Sequence, residues 1–244
     1  MLDLVFPPRC LVCQDPIVSG DRPQCPACVE AIDAERSVIY CPGCACTVVD
    51  GEVLGGRCSQ CRNKTLRVDG TVRVAAYGGY LAQLVRAYKY NRREALEPIL
   101  GGWLAQAVES APWRDRVEAL LPVPTHWRHR VGRAVYPAER LAAVVAKQTG
   151  LVHAPLLRRV RGGPHQIGLG YNARIENVRG AFALRADVTL NKARLLLIDD
   201  VKTTGATIDE CAKVLRHSGA AEVYAAVVVK VSWEPGSRNP IPSI

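Results

Sequence analysis

The sequence predicts an α/β protein, a mainly parallel sheet flanked by helices, preceded by a small cysteine-rich module. Three observations carry this expectation. From residue 71 onward, short β-rich runs alternate with longer helical stretches, the pattern of a parallel sheet covered on both faces. Nine of the ten cysteines lie before residue 62, and only Cys211 lies beyond. Charge divides at the same place: residues 1–70 hold 7 Lys and Arg against 9 Asp and Glu, and the rest holds 25 against 14, so the net +9 belongs to the second part. The expected organisation is therefore a module over 1–70, a sheet domain over 71–232 and a loosely ordered tail over 233–244. With 48% hydrophobic residues the chain has ample material for a packed core. The opening MLDLVFPPRC has no basic stretch followed by a long apolar one, and no apolar run nears the roughly 20 residues that cross a bilayer. A cytoplasmic protein without membrane insertion is expected, its first apolar residues docking onto the fold.

In the module, four CxxC pairs follow one another: Cys10/Cys13, Cys25/Cys28, Cys41/Cys44 and Cys58/Cys61. Two residues between cysteines let both thiolates of a tight knuckle face one metal, and two knuckles complete a tetrahedral S₄ site suited to Zn²⁺. Gaps of 11 residues (14–24) and 13 residues (45–57) between knuckles fit small zinc ribbons. Two structural zinc ions are expected, paired in chain order or cross-braced, with Cys46 a bystander or a substitute for Cys44. An Fe–S cluster is the rival use of the same ligands. Disulfides are disfavoured in the reducing compartment expected here.

In the sheet domain, Thr71–Tyr77 alternates as a strand, Leu81–Tyr90 reads as a helix, and Glu94–Ser110 continues helical despite Gly101-Gly102. Val117–Val123 is a buried strand ending in prolines, and Pro137–Thr149 a helix. Ala181–Leu184 and Ala193–Ile198 are strands, Ala206–Ser218 a helix and Glu222–Val229 a strand. Ligands of such sheets bind beyond the carboxyl ends of the strands, which directs attention to the segments after Val123 and after Ile198.

The second of these segments reads LLLIDDVKTTGAT. Asp199 and Asp200 end an apolar strand, and the turn built of Val201, Lys202, Thr203, Thr204, Gly205, Ala206 and Thr207 leads into a helix. Gly205 permits a tight backbone, and the free N–H groups of the helix start, with threonine hydroxyls, suit a phosphate. Adjacent carboxylates accept from vicinal ribose hydroxyls. The bland alternative is a capping turn whose Asp and Thr satisfy the helix's own N–H groups.

This stretch resembles the phosphoribosyl pyrophosphate (PRPP) motif of type I phosphoribosyltransferases. Four CxxC knuckles, an AYKY segment, a PVPxH loop, QxGLxxxxRxxNVRGAF at Gln166–Phe182 and the PRPP motif together resemble the ComF family over essentially the whole chain. The resemblance implies a type I phosphoribosyltransferase fold after a double zinc ribbon, and a competence (DNA-uptake) context. It implies that Asp199 and Asp200 hold the ribose hydroxyls, and that Thr203 to Thr207 hold the 5-phosphate. It makes Pro122–His126 the pyrophosphate loop, with Pro124, Thr125 and His126 in contact, and makes residues from about Arg158 to Arg179 a mobile loop. Mg²⁺ would accompany PRPP. The chain departs from the family in reading Arg133-Ala134-Val135-Tyr136-Pro137 where relatives carry RGFNQ. Thr203 stands where 6-oxopurine transferases place an acid, which argues against purine salvage.

Composition adds an independent pointer: residues 113–180 hold 12 Lys and Arg against 4 acids. Among them Arg128, Arg133 and Arg174 are candidates for the pyrophosphate side. Two functions follow. One is a transferase that attacks C1 of PRPP and releases pyrophosphate, its acceptor unnamed. The other is a PRPP-sensing or single-stranded-DNA-binding adaptor, meeting DNA through its basic surface or competence proteins through its zinc module.

Overall fold

The computed structural model describes residues 8–17, 23–90, 93–124, 136–161, 171–185 and 188–231. Its elements are helix α1 (Pro26–Arg36), strand β1 (Gly70–Ala76), α2 (Gly79–Tyr90), α3 (Glu97–Glu109), β2 (Ala119–Pro122), α4 (Pro137–Thr149), β3 (Val152–His153), β4 (Leu157–Arg159), α5 (Tyr171–Val178), β5 (Phe182–Leu184), β6 (Arg194–Lys202), α6 (Ala206–His217) and β7 (Glu222–Lys230). Five strands form one sheet in the order β1-β7-β6-β2-β3, every neighbouring pair parallel. β4 and β5 form a separate antiparallel pair. The expected parallel sheet with flanking helices is what the chain builds.

Alternate side chains of β6 enter opposite apolar layers. Leu196 and Ile198 join the buried residues of α2, α3 and α4, whereas Leu195 and Leu197 join Ile208, Cys211 and Leu215 of α6. Because both faces are covered, β6 and β7 read as near-continuous apolar runs rather than alternating ones.

The connections place the site. From β2 the chain passes through α4 to β3 on one side, and from β6 through α6 to β7 on the other. The strand order therefore reverses between β2 and β6, which pair from Ala119↔Leu195 to Pro122↔Ile198. A crevice opens beyond the carboxyl ends of strands at such a switch point. The two segments singled out in the sequence thus lie side by side, tied by the Val123 N–H donating to the Ile198 carbonyl at 2.9 Å.

Several boundaries differ from the sequence reading; the helix expected over 94–110, for example, begins at Glu97 after a separate short turn at Glu94–Leu96. β2 is shorter than 117–123, and β6 runs on to Lys202 instead of ending at Ile198, because its pairing with β7 continues to Lys202↔Lys230. Helix α1 and the short β3, β4 and α5 had no clear periodic signal. The opening residues 1–7 and the tail 233–244 lie outside the described residues.

The module packs against the sheet domain rather than standing apart. Cys10, Val12, Cys28 and Ile32 share one buried cluster with α2 and α3. Glu35 of α1 accepts the backbone N–H groups of Tyr80 (2.7 Å) and Leu81 (3.0 Å), capping α2 where its dipole favours a carboxylate. Gly79 makes this approach possible, since a Cβ there would sit 1.9 Å from Glu35 Oε1.

The glycine pair within α3 is explained by packing. A Cβ on Gly101 would lie 2.5 Å from Val144 Cγ1 on α4, whereas one on Gly102 would meet only Gln148, at 3.5 Å. Gly101→Ala should therefore destabilise by about 1–3 kcal/mol through overpacking. Gly102→Ala should be neutral or stabilising by up to about 1 kcal/mol from helix propensity. Denaturant melts of the two variants should move in opposite directions, and equal losses would show that the α3–α4 contact does not select Gly101.

Candidate functional site

The eight knuckle cysteines gather into two sets, Cys10/Cys13/Cys25/Cys28 and Cys41/Cys44/Cys58/Cys61, with one sulfur from each residue within 4.8 Å of every other in its set. Pairing in chain order is what the fold adopts, and Cys46 stays outside both sets. Sγ–Sγ separations of 3.8 Å (Cys13–Cys25), 3.7 Å (Cys41–Cys61), 3.6 Å (Cys44–Cys58) and 3.9 Å (Cys58–Cys61) match the edge of about 3.8 Å of a tetrahedron with 2.3 Å Zn–S bonds. No cysteine is bridged. The two knuckles share a local geometry: Gln14 and Ala45, each just after a second cysteine, are left-handed at φ 67° and 63°. Their N–H groups donate back to the Cys10 and Cys41 carbonyls at 3.0 and 2.8 Å. Both sets fit structural Zn²⁺, with every protein ligand in place.

At the switch point, β6 carries Asp199 and Asp200. Asp200 is buried and pairs with Lys89 of α2, Oδ1 to Nζ 2.8 Å. Asp199 Oδ1 accepts the Asp200 N–H at 2.9 Å. Although Asp199 as a residue is only half-buried, its carboxyl is enclosed by protein atoms, and this burial, reinforced by the charge of Asp200, pushes it up to about 8. Asp199 therefore favours its protonated form at neutral pH.

The turn that follows is shaped by Gly205, left-handed at φ 84° immediately before α6, a conformation that penalises any side chain. The Thr204 hydroxyl accepts the Ala206 N–H at 3.2 Å, the capping role foreseen as the bland alternative. Lys202 turns inward: it is buried, its Nζ donates to Thr71 Oγ1 at 3.2 Å, and its Cε would lie 3.0 Å from a Cβ on Gly205. Burial, followed by the charge of Lys230, pulls the Lys202 ammonium down to about 8, while Cys44, Cys46 and Cys61 act in the opposite sense. Lys230, at the end of β7, donates to the Thr203 carbonyl at 2.8 Å.

A cavity of about 720 Å³ lies along this turn. Thr203–Ala206 form one wall, and Cys44, Cys46 and Cys61 of the second ribbon form another. Ile175 and Val178 of α5 and Ile208 and Asp209 of α6 also line it. Asp209 ties the ribbon's exit to α6 through the Arg67 N–H (3.0 Å) and guanidinium (2.5 Å).

Of the other candidates, Pro124 ends the described part of the β2 loop. Thr125, His126, Arg128 and Arg133 lie outside the described residues, as does the side chain of Arg174. Much of the described basic surface between residues 113 and 180 is already engaged. Arg114, Arg116 and Arg179 pair with Glu109, Glu222 and Glu176 at 2.8–3.0 Å, and Arg158, Arg159 and Arg161 donate to backbone carbonyls. Sequence reasoning missed Lys89 and Lys230 as parts of the site. The signal for Lys230 was a lysine closing an apolar strand, VVVK; that for Lys89 was the AYKY segment, noted only as a family likeness.

The model of the double zinc ribbon domain matches residues 1–62. Across the chain, the DNA utilization protein YhgH of Salmonella typhi is 29% identical over 90% of this chain and 96% of its own. Competence protein F of Haemophilus influenzae is 26% identical over 88% of this chain and 93% of its own. This chain is thus similar, over about nine-tenths of its length, to proteins named for DNA utilization and for competence. The ComF likeness read from its motifs therefore extends along nearly its whole length. Among solved structures, adenine phosphoribosyltransferase from Thermoanaerobacter pseudethanolicus matches 57% of this chain and 83% of its own at 15% identity and a TM-score of 0.37. So loose a superposition carries no argument, and the reading of the site rests on the switch point and the motif turn. Among the described residues no helix is long and apolar enough to cross a membrane.

Elemental analysis of the purified protein should find two zinc ions per chain. Cys46→Ser should keep both and Cys44→Ser should lose one; retention of two in Cys44→Ser with one in Cys46→Ser would exchange the roles of the two residues.

Proposed function

We propose that this protein binds PRPP with Mg²⁺ at the crevice between β2 and β6 and serves DNA utilization as a phosphoribosyltransferase-type protein. The observation that carries the reading is the placement of the motif. Paired carboxylates and a glycine-hinged helix start stand at the carboxyl end of β6, at the switch point, beside the end of β2. The names of the full-length relatives, DNA utilization protein and competence protein, support the biological setting. In this reading Asp199 and Asp200 accept the ribose hydroxyls, and the turn from Thr203 to Thr207 receives the 5-phosphate through N–H groups and hydroxyls. The loop from Pro122 through His126, with Arg128, Arg133 and Arg174, receives pyrophosphate. The donors at the strand end are two carboxylates, one shared with Lys89, which suits a hard cation that keeps its waters. Mg²⁺, when bound, supplies charge to the pyrophosphate oxygens. The residues of the chain orient C1 for an acceptor, and pyrophosphate leaves through an oxocarbenium-like state. The module over 1–70 braces the sheet domain over 71–232.

Calorimetry with Mg²⁺ and PRPP tests the site. Asp199→Asn and Asp200→Asn should each weaken binding about tenfold to a hundredfold, the loss of a charged acceptor of roughly 1.5–3 kcal/mol. Equal affinity in the double variant would rule the site out. The raised Asp199 adds a pH signature. Between the ordinary carboxylate value of about 3.9 and about 8 the folded chain holds a proton that the unfolded chain lacks. This group's contribution to stability is therefore complete at low pH and lost as pH rises through about 8. Ligand hydroxyls and cations prefer the ionised pair, so binding at pH 7 should release protons and tighten toward pH 8, an effect that disappears in Asp199→Asn. Pyrophosphate release on adding a metabolite pool would establish transfer. PRPP binding without release, alongside salt-sensitive oligonucleotide binding, would favour the adaptor.

A further inference from the structure

Three cations are buried together beside the second ribbon: Arg73 is 2% exposed, Lys230 5% and Lys202 6%. Among the described residues none of them is ion-paired with a carboxylate; the acids that line the cavity, Asp209 and Glu210, pair with Arg67 and Lys213. Their hydrogen bonds go to carbonyls and hydroxyls, and Lys230 also meets the thiol of Cys46, which belongs to neither metal set. Arg73 donates to the Ala45 carbonyl (2.8 Å) and Thr47 Oγ1 (2.9 Å), Lys202 to Thr71 Oγ1, and Lys230 to the Thr203 and Val231 carbonyls. Buried charge without a counter-charge is strongly unfavourable, so an anion belongs here.

Cys46 lies among these cations, and the adjoining group that carries a fixed negative charge once its metal is bound is the second metal set. Four thiolates around Zn²⁺ leave a net charge of −2, and Cys44 and Cys61 line the same cavity as Lys202 and Lys230. The ribbon is also fixed on the same strand. The Thr71 N–H donates to the Pro42 carbonyl (2.7 Å) and its hydroxyl to the Gly43 carbonyl (3.1 Å), inside the Cys41–Cys44 knuckle. A continuous path therefore runs from this knuckle through Thr71 to Lys202, which lies under Gly205, while Lys230 grips Thr203.

We infer that the zinc tetrathiolate of Cys41, Cys44, Cys58 and Cys61 is the counter-charge that holds Lys202 and Lys230 beneath the Thr203–Thr207 turn, making Lys230 a positioning residue of that turn. The role of the turn in binding phosphate rests on the function proposed above; the coupling between zinc and lysine does not. The second ribbon is then part of the site's electrostatics, and its metal sets the conformation in which the turn presents its N–H groups.

The test is a set of full-length variants read by amide hydrogen exchange over residues 203–207, thermal melting and zinc content. With both zincs bound, Lys230→Met should speed exchange in the turn tenfold or more and lower the melting temperature, and Lys230→Arg should restore most of the loss. Emptying the second site with Cys58→Ser should reverse the sign: there Lys230→Met should slow exchange and raise the melting temperature, because it removes an uncompensated charge. Cys58→His keeps a zinc ligand while reducing the net charge to −1, and should give an intermediate effect with both metals retained. It stands in if Cys58→Ser does not fold. An effect of Lys230→Met that is the same alone as when combined with Cys58→His or Cys58→Ser would overturn the inference. Mg²⁺ and PRPP titrations of the same variants are read separately. If wild type fails to bind PRPP while the sign reversal appears, the proposed function falls and the coupling stands.

Discussion

The two zinc sets are the constraint on which the architecture depends. The ribbons they close are too small to bury a core of their own, so without metal their segments have little to hold them folded. Closing the knuckles fixes two surfaces. The first, around α1, joins the apolar layer beneath α2 and α3. The second presents the Pro42, Gly43 and Ala45 carbonyls to Thr71 and Arg73 of β1. An edge strand that would otherwise expose its length is covered in this way.

From those two surfaces the supports reach the candidate site by separate routes. Glu35 of α1 caps α2, and α2 carries Lys89 to Asp200. The second knuckle anchors Thr71, which receives Lys202 beneath the motif turn. Each route ends on one half of the motif: the first on the carboxylates, the second on the turn. The ribbons therefore brace the carboxylate pair and the turn from different directions, which gives the module a role in the site's geometry.

Charge is distributed unevenly, and the distribution matters more than the net +9. The described arginines between residues 113 and 180 mostly meet nearby acids or carbonyls, as Arg116 meets Glu222 and Arg161 meets the Arg179 carbonyl. Exposed pairs of this kind contribute little stability, but they leave fewer of these cations for an extended polyanion. The consequential cations are the buried ones, Arg73, Lys202 and Lys230, which sit where the field is least screened.

The sequence by itself determined the parallel sheet, the four knuckles and the motif turn. Each of these is written in local spacing: apolar runs with a strand's length, cysteines two residues apart, an acid pair followed by a glycine-hinged helix start. Helix 137–149 was legible to the residue, because Pro137 opens it and Gly150 closes it in a left-handed cap at φ 71°. What only the tertiary structure decided was which knuckles share a metal, how far β6 runs, and which cations enter the site. Pairing in chain order needed the positions of all eight sulfurs. The extension of β6 to Lys202 needed its partner β7, since a strand's end is set by the ladder beside it. Lys89, Thr71 and Lys230 lie 111, 128 and 31 residues from Asp200, Asp199 and Asp199 respectively, and no local pattern links positions so far apart. Burial brought them together, and burial is what turns an ordinary lysine at the end of an apolar strand into a charge that must find its counter-charge.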